Sequence, residues 1–369
     1  MPQHILKKSH GRSKRLIACA TVSFASLVTV PLAVSWDAGP ATCRHDVCSG
    51  GKTTGSVTEY KGPTATDGPN KQEHLRGNTH LWIVNHAVAY LNEGNADEKK
   101  IFAVMNAGPC RTEWEKGLFD ADEPPYSETG GATGTHFYNP TKVSFDGKDG
   151  APQRYSGMKP ARVKGVFHLL VGKDLGNGRD NAAWSLGGFI QPTDNTLDKR
   201  LDSLKKGDGC EWFGYALHYL TDETQPMHSG SFSAVSASPG GMGIIGSTGF
   251  NLHGSYEYWV PVIQAEATPK PANQVHIPNT KNADDVFLEV ATKFSNMGKG
   301  TGGLYAALVA SPGNCKIVGD NSDPYHYRGP CFPDSPLVKT KTIEILRDAY
   351  EATGQYIYAA LVNGPGDPR

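Results

Sequence analysis

Apolar residues recur at helical spacing in seven stretches of the chain, and glycine-rich or polar segments separate them. In the first stretch, 78–93, Leu81, Val84 and Val88 fall on one face of a predicted helix. The other predicted helices span 97–107, 159–174, 197–223, 252–266, 283–311 and 338–362. Alternating apolar and polar runs, which would indicate β-strands, are scarce. The pattern therefore predicts an all-α protein with a single helical domain.

Glycine, proline and aspartate dominate the segments between these helices. Long loops are predicted over 123–157, 175–196, 229–250 and 312–336, and an irregular arm over 37–75. Structureless segments of this length inside a compact domain are usually functional. The loop over 229–250 carries Met242, Ile244 and Phe250. It either touches lipid or packs on itself as a flexible insertion.

The first 35 residues have the pattern of an export signal. Five basic residues precede an apolar stretch that begins at Leu16 and ends near Val34, and small residues then allow cleavage after Ser35. An uncleaved membrane anchor is the alternative, whereas Cys19 lies at the wrong end of the apolar stretch for lipidation. We expect residues 1–35 to be a secretory signal peptide, residues 36–369 to be the mature domain, and the protein to be secreted.

Six cysteines remain after removal of this leader. They are Cys43, Cys48, Cys110, Cys210, Cys315 and Cys331. An even number in an exported protein suggests disulfides, and no Cys-x2-Cys pair indicates a thiolate zinc site. Proximity along the chain favours Cys43–Cys48 and Cys315–Cys331, which leaves Cys110–Cys210 by elimination among the many possible pairings.

The charge balance makes a duplex nucleic-acid partner an unattractive hypothesis. The leader holds five of the 36 basic residues and none of the 37 acidic ones, so the mature chain carries a net negative charge. A protein that binds duplexes through their phosphates needs the opposite sign. An enzyme that cleaves single strands locally is not excluded.

Residues 217–228 carry a high density of potential metal ligands. His218 and Asp222 are separated by four positions, so they share one face of a helix. Pro226 should end that helix and allow His228 to return from the following turn. Imidazole nitrogens and carboxylate oxygens are the usual donors to zinc.

A second pair, His253 and Glu257, repeats the spacing of four at the start of another predicted helix. A single pair of this kind is most often a surface or capping pair. Two such pairs with an intervening histidine, in an exported protein, indicate a metal centre.

Three further motifs make the picture more specific. Residues 78–85 read Asn-Thr-His-Leu-Trp-Ile-Val-Asn, residues 117–122 read Gly-Leu-Phe-Asp-Ala-Asp, and residues 135–140 read Thr-His-Phe-Tyr-Asn-Pro. Together with the two spaced pairs, and in the same order, they resemble the histidine and aspartate motifs of the bacterial zinc-dependent phospholipases C, which are related to the three-zinc single-strand nucleases. The resemblance implies that 36–369 is a catalytic domain whose helices and long loops surround a trinuclear zinc cleft.

The resemblance also implies nine residues that hold three zinc ions. They are Trp36, His80, Asp122, His136, His218, Asp222, His228, His253 and Glu257. In that scheme Asp222 bridges two of the ions, and Asp122 is also the catalytic general base. Trp36 coordinates through its α-amino group and carbonyl oxygen, which agrees with cleavage after Ser35.

The implied reaction is hydrolysis of the glycerol-side phosphodiester of phospholipids by zinc-activated water, at a membrane or micelle surface, to diacylglycerol and a phosphorylated headgroup. The substrate pocket departs from the family pattern. Gly39, Glu123 and Thr133 stand where the family has Glu, Tyr and Phe, so its aromatic cage for a quaternary ammonium is absent. Glu123, Tyr126 or Asp37 are candidate substitutes. We expect a monomer that selects choline headgroups less strongly than the family's best-known members do.

Two other functions compete with this one. The first is a single-strand nuclease or nucleotidase with three zinc ions, but that superfamily ends its ligand set in a His-x3-Asp pair where this chain has His253 and Glu257. The second is a non-catalytic secreted protein that binds zinc or lipid. Binding alone does not need a trinuclear cluster, so we expect an enzyme without a nucleic-acid partner.

Overall fold

A computed structural model describes residues 79–121, 136, 138, 140, 178–230, 256, 260, 263–267, 280–310, 316–317, 327–328 and 335–366. Helices form nearly all of the regular structure in these ranges, which confirms the all-α prediction. A pair of two-residue antiparallel strands, β1 (Lys316–Ile317) and β2 (Tyr327–Arg328), lies in the predicted loop over 312–336. No described helix combines the length and the apolar composition that crossing a membrane requires.

The helices are labelled in chain order. They are α1 (Thr79–Leu91), α2 (Ala96–Met105), α3 (Gly108–Asp120), α4 (Gly178–Gly187), α5 (Leu197–Leu204), α6 (Gly209–Glu223), α7 (Pro226–Ser229), α8 (Ala283–Gly298), α9 (Leu304–Ala310) and α10 (Pro336–Tyr358). A 3-10 turn spans Gln264–Glu266, and a π-helical turn, Ala359–Asn363, extends α10. The predicted helix over 159–174 and most of the predicted loops over 123–157 and 229–250 lie outside the described residues.

Two predicted helices are each divided in the structure. The helix predicted over 197–223 is α5 followed by α6, because Gly207 adopts a left-handed backbone with φ +53° between them. The helix predicted over 283–311 is α8 followed by α9, with Gly300 at φ +81° in the break. Glycine reaches this region without the steric cost that a Cβ brings, and the chain turns there.

Two helices of the structure were absent from the sequence prediction. Helix α3 lies between the predicted helix over 97–107 and the predicted loop over 123–157, in a stretch to which no element was assigned. Its Pro109 stands in the first turn, where proline is well tolerated. Helix α4 lies inside the loop predicted over 175–196. It has little apolar periodicity of its own and is held by packing, with Trp184 against Trp212 of α6 at 4.8 Å between ring centroids.

Helix α6 runs through the core. From Phe213 to its last residue, Glu223, every residue is buried. A helix without an exposed face needs neighbours on all sides, and α3 and α4 supply two of them. The polar residues in this stretch are therefore held away from water.

Helices α3 and α6 lie side by side and run in the same direction. A disulfide joins Cys110 to Cys210 near their first residues, which confirms the pairing reached by elimination. The other two pairings lie outside the described residues. Further along, a Cβ added at Gly117 would lie 2.1 Å from the carbonyl oxygen of Glu211 and 2.9 Å from Cα of Gly214. The two backbones thus touch where glycine allows it.

This contact gives a first prediction. In a Gly214→Ala variant the new Cβ would lie 2.3 Å from the carbonyl oxygen of Trp114, so α3 and α6 must move apart. Overpacking of this kind costs about 1–3 kcal/mol of unfolding free energy, measurable by urea denaturation. Gly108→Ala is the matched control, since nothing lies within 4 Å of its new Cβ. Equal stability of the two variants would contradict the close contact.

The C-terminal helix holds α1 in place. Trp82 and Tyr90 of α1 pack on Tyr350 of α10, with ring centroids 6.2 and 5.1 Å apart respectively. Arg200 donates from Nη1 to the carbonyl oxygens of Leu361 and Val362, at 3.1 and 2.6 Å. Carbonyls at the end of a helix lack intrahelical partners, and this guanidinium supplies one. The packing of Trp82 and Tyr90 on Tyr350 fixes the position of His80, the second residue of α1.

Candidate metal centre

The end of α6 and the short helix α7 contain an unusual number of buried polar residues. Between positions 218 and 229 the fully buried polar side chains are His218, Thr221, Asp222, Glu223, Thr224, Gln225, His228 and Ser229. Burying polar groups costs free energy unless they are paired or bind an ion. This concentration marks the region as a functional candidate.

Three of the predicted ligands meet here. His80, His218 and Asp222 each offer a ligand atom, and these atoms lie within 4.8 Å of one another. Nε2 of His80 is 3.5 Å from Oδ1 of Asp222, and Nε2 of His218 is 3.6 Å from Oδ2. The two imidazole rings stack with their centroids 4.1 Å apart. The spacing of four brings His218 and Asp222 together from one helix, and α1 brings His80.

A fourth predicted ligand, His136, lies against the same carboxylate. Its Nδ1 is 2.8 Å from Oδ2 of Asp222 and 3.3 Å from Nε2 of His218. The side chain is buried, and its ring also packs on Tyr219 at 5.2 Å between centroids. Asp222 thus faces three imidazoles at once.

The chain turns sharply before the fifth, His228. Helix α6 ends at Glu223, and Gln225 takes extended dihedral angles, φ −90° and ψ 118°. A residue that precedes proline is driven into this region by the proline ring. Pro226 then begins α7, as a residue in the first turn of a helix can. His228 returns towards the site, and its Nδ1 lies 3.0 Å from the carbonyl oxygen of His136.

Backbone carbonyls orient two of the imidazoles. Nδ1 of His218 is 2.6 Å from the carbonyl oxygen of Leu118, and Nδ1 of His228 makes the contact with the carbonyl of His136. A carbonyl only accepts, so each Nδ1 carries the proton and donates it. In the neutral ring, Nε2 then has the lone pair. This is the usual arrangement around a metal-binding histidine.

A second carboxyl group, that of Glu223, lies beside the cluster. Complete burial raises the pKa of Glu223 well above its usual range, and the neighbouring carboxylate of Asp222 raises it further. A backbone interaction with Tyr138 acts in the opposite direction. Desolvation disfavours the charged form of a carboxyl. Burial therefore favours the neutral form of Glu223.

This donor set fits a zinc ion. Two imidazoles and a carboxylate are the groups that zinc prefers, and catalytic zinc sites commonly have three protein ligands. His80, His218 and Asp222 are fully buried, and an ion would compensate the cost of burying them. The proposed ligands Trp36, Asp122, His253 and Glu257, and the pocket candidates Glu123 and Tyr126, are outside the described residues.

The sequence analysis did not anticipate every residue at this site. Thr221 and Glu223 flank Asp222, and both are fully buried. Their signal was present in the pattern, because polar side chains on all faces of an otherwise apolar helix cannot all reach water. The backbone carbonyls of Leu118 and His136 had no signal, since they depend on how separate segments pack.

The curated proteins that resemble this chain are phospholipases C. No protein-family model matches the chain. A phospholipase C of Bacillus cereus is 28% identical over 197 residues, which are 53% of this chain and 53% of that protein. A phospholipase C of Listeria monocytogenes is 25% identical over 195 residues, 51% of this chain and 49% of that protein. The chain thus spans about half the length of the curated relatives it matches.

Solved structures of two toxins also align with the chain. The alignment with the alpha toxin of Clostridium absonum covers 80% of this chain and 65% of the toxin chain, with 14% identity and a TM-score of 0.45. The alignment with the alpha-toxin of Clostridium perfringens from an avian strain covers 77% of this chain and 62% of the toxin chain, with 13% identity and a TM-score of 0.40.

Proposed function

We propose that this chain is a secreted, zinc-dependent phospholipase C of the bacterial type, with residues 36–369 as its catalytic domain. The observation that carries the proposal is the buried cluster of His80, His218 and Asp222, with His136 against the same carboxylate. It occurs in a chain whose matched relatives are phospholipases C. The motif order supports the same function.

In this proposal the described residues would hold zinc through Nε2 of His80, Nε2 of His218 and the carboxylate of Asp222. The motif resemblance extends the set to three ions with the other residues it implies, Trp36, Asp122, His136, His228, His253 and Glu257. Zinc bound there would act as a Lewis acid towards the phosphoryl oxygens and make water a better nucleophile near neutral pH.

The protein's own groups prepare this site. The carboxylate of Asp222 supplies negative charge among three imidazoles, and the carbonyls of Leu118 and His136 hold two rings in one tautomer. Burial keeps bulk water away from these contacts, so they act more strongly than at a surface. Asp122 is our proposed general base and would accept the proton of the attacking water.

The substrate is proposed to be a phospholipid at a membrane or micelle surface. Because Gly39 and Thr133 replace the larger residues of the family's headgroup pocket, a quaternary ammonium loses part of its aromatic surroundings. Glu123 or Tyr126 would contact the headgroup instead. We expect choline and ethanolamine headgroups to be hydrolysed at more similar rates than in the family's choline-selective members.

One parallel assay tests this function. The mature protein, beginning at Trp36 and loaded with zinc, is offered phosphatidylcholine, phosphatidylethanolamine and single-stranded DNA. We expect diacylglycerol and phosphorylated headgroup from both lipids, with no DNA cleavage, and more than one zinc per chain by elemental analysis. Release of fatty acid or phosphatidic acid, or cleavage of DNA alone, would contradict the proposal.

A further inference from the structure

Thr221 lies between two of the proposed ligands on α6 and contacts the third. Its side chain is fully buried. Its hydroxyl oxygen is 2.5 Å from Nδ1 of His80, 2.8 Å from the carbonyl oxygen of Leu217 and 2.9 Å from that of His218. One hydroxyl group therefore connects the backbone of α6 to the imidazole that α1 contributes.

The direction of these hydrogen bonds follows from the chemistry of the groups. A hydroxyl has one proton to donate and two lone pairs that accept. Both carbonyls can only accept, so the proton of Thr221 points to Leu217 and His218. With the proton placed there, the oxygen accepts from His80, and Nδ1 of His80 is the nitrogen that carries hydrogen.

This direction decides which nitrogen of His80 can bind a metal. With hydrogen on Nδ1, the lone pair of the neutral ring is on Nε2, the atom 3.5 Å from Oδ1 of Asp222. With the opposite tautomer, Nε2 would carry hydrogen and donate it to Asp222. That arrangement would remove both a donor atom and part of the carboxylate from the metal.

We propose that Thr221 is a positioning residue of the metal centre, which holds His80 in the tautomer that presents Nε2 to zinc. This inference deepens the proposed function and rests on its metal site. Thr221 does for His80 what the carbonyl of Leu118 does for His218, but through a side chain that mutation can remove.

A purely structural role is the alternative, and the chain offers a matched comparison. Thr353 of α10 is also fully buried, and its hydroxyl donates to the carbonyl oxygen of Ala349, four residues earlier, at 2.8 Å. Bonding of a threonine back to its own helix is thus common to both residues. The contact with the imidazole of His80 is what distinguishes Thr221.

The test compares Thr221→Val, Thr221→Ser and Thr353→Val in the full mature protein. The dissociation constant for zinc is measured by competition with a chromophoric chelator, and the thermal midpoint is measured on the zinc-free protein. Valine keeps the shape of threonine without the hydroxyl. Loss of an outer partner of a metal-binding histidine typically weakens binding about 10–100-fold, and we expect this for Thr221→Val.

Serine restores the hydroxyl, so Thr221→Ser should return zinc affinity to near the wild-type value even if its smaller side chain lowers the midpoint. Thr353→Val should change the midpoint alone. If Thr221→Val and Thr221→Ser bind zinc equally well, or if Thr353→Val weakens zinc as much as Thr221→Val, the inference is overturned. If the wild type itself binds no zinc, the proposed function fails, and that outcome is distinct because it appears before any variant is compared.

Discussion

Replacing Asp222 by asparagine should strongly weaken both zinc binding at this cluster and hydrolysis. The two carboxylate oxygens lie 2.8–3.6 Å from nitrogens of His80, His136 and His218. Asparagine keeps the shape but removes the charge and replaces one oxygen by an NH2 group, which cannot donate electrons to a metal. We expect zinc affinity and turnover to fall by more than about 100-fold, since loss of an outer partner alone costs up to that much.

Glu115→Gln is the control for this variant. It also converts a buried carboxylate to an amide, but the structure places Glu115 against Arg111, whose Nε lies 2.8 Å away. We expect this variant to keep its zinc and its turnover. Zinc content is measured after dialysis and turnover by release of phosphorylated headgroup. If Asp222→Asn bound zinc as tightly as the wild type, the cluster would not be the metal site.

The part of the site that rests on local spacing was predictable from the sequence. Residues four apart on a helix must share a face, and a proline two residues before His228 restricts the residue that precedes it. The approach of His80 and His136 to Asp222 is different, because it depends on α1 and on a separate segment packing against α6. For those two residues the expectation came from the motif resemblance and not from periodicity.

The fold likewise has parts that local periodicity predicted and parts that depend on packing between separate segments. Apolar periodicity located α1, α2 and α10 to within a few residues, because their stripes face a core. It missed α3 and α4, whose helices are determined by contact with α6: Gly117 lets two backbones approach, and Trp184 packs on Trp212. Single glycines with positive φ divided two predicted helices at points that periodicity alone does not mark.

Removing the disulfide should lower stability strongly and leave the metal site almost unchanged. Cys110 and Cys210 are 100 residues apart in sequence, and in the chain-entropy model a loop of that length contributes up to about 4.7 kcal/mol by restricting the unfolded chain. The bond lies near the first residues of α3 and α6, whereas Leu118 and His218 meet further along both helices. The native arrangement there is held by packing.

We therefore expect the double variant Cys110→Ala/Cys210→Ala to lose about 2–5 kcal/mol of unfolding free energy, measured in urea. Its zinc affinity and turnover at 25 °C should stay within about twofold of the wild type, because an effect on the unfolded state leaves native contacts in place. The single variant Cys110→Ala breaks the same cross-link and keeps one sulfur, so it should lose nearly as much. A large loss of zinc affinity at temperatures where the double variant is fully folded would contradict this expectation. It would show that α3 needs the covalent bond to keep the carbonyl of Leu118 within reach of His218 at the metal centre.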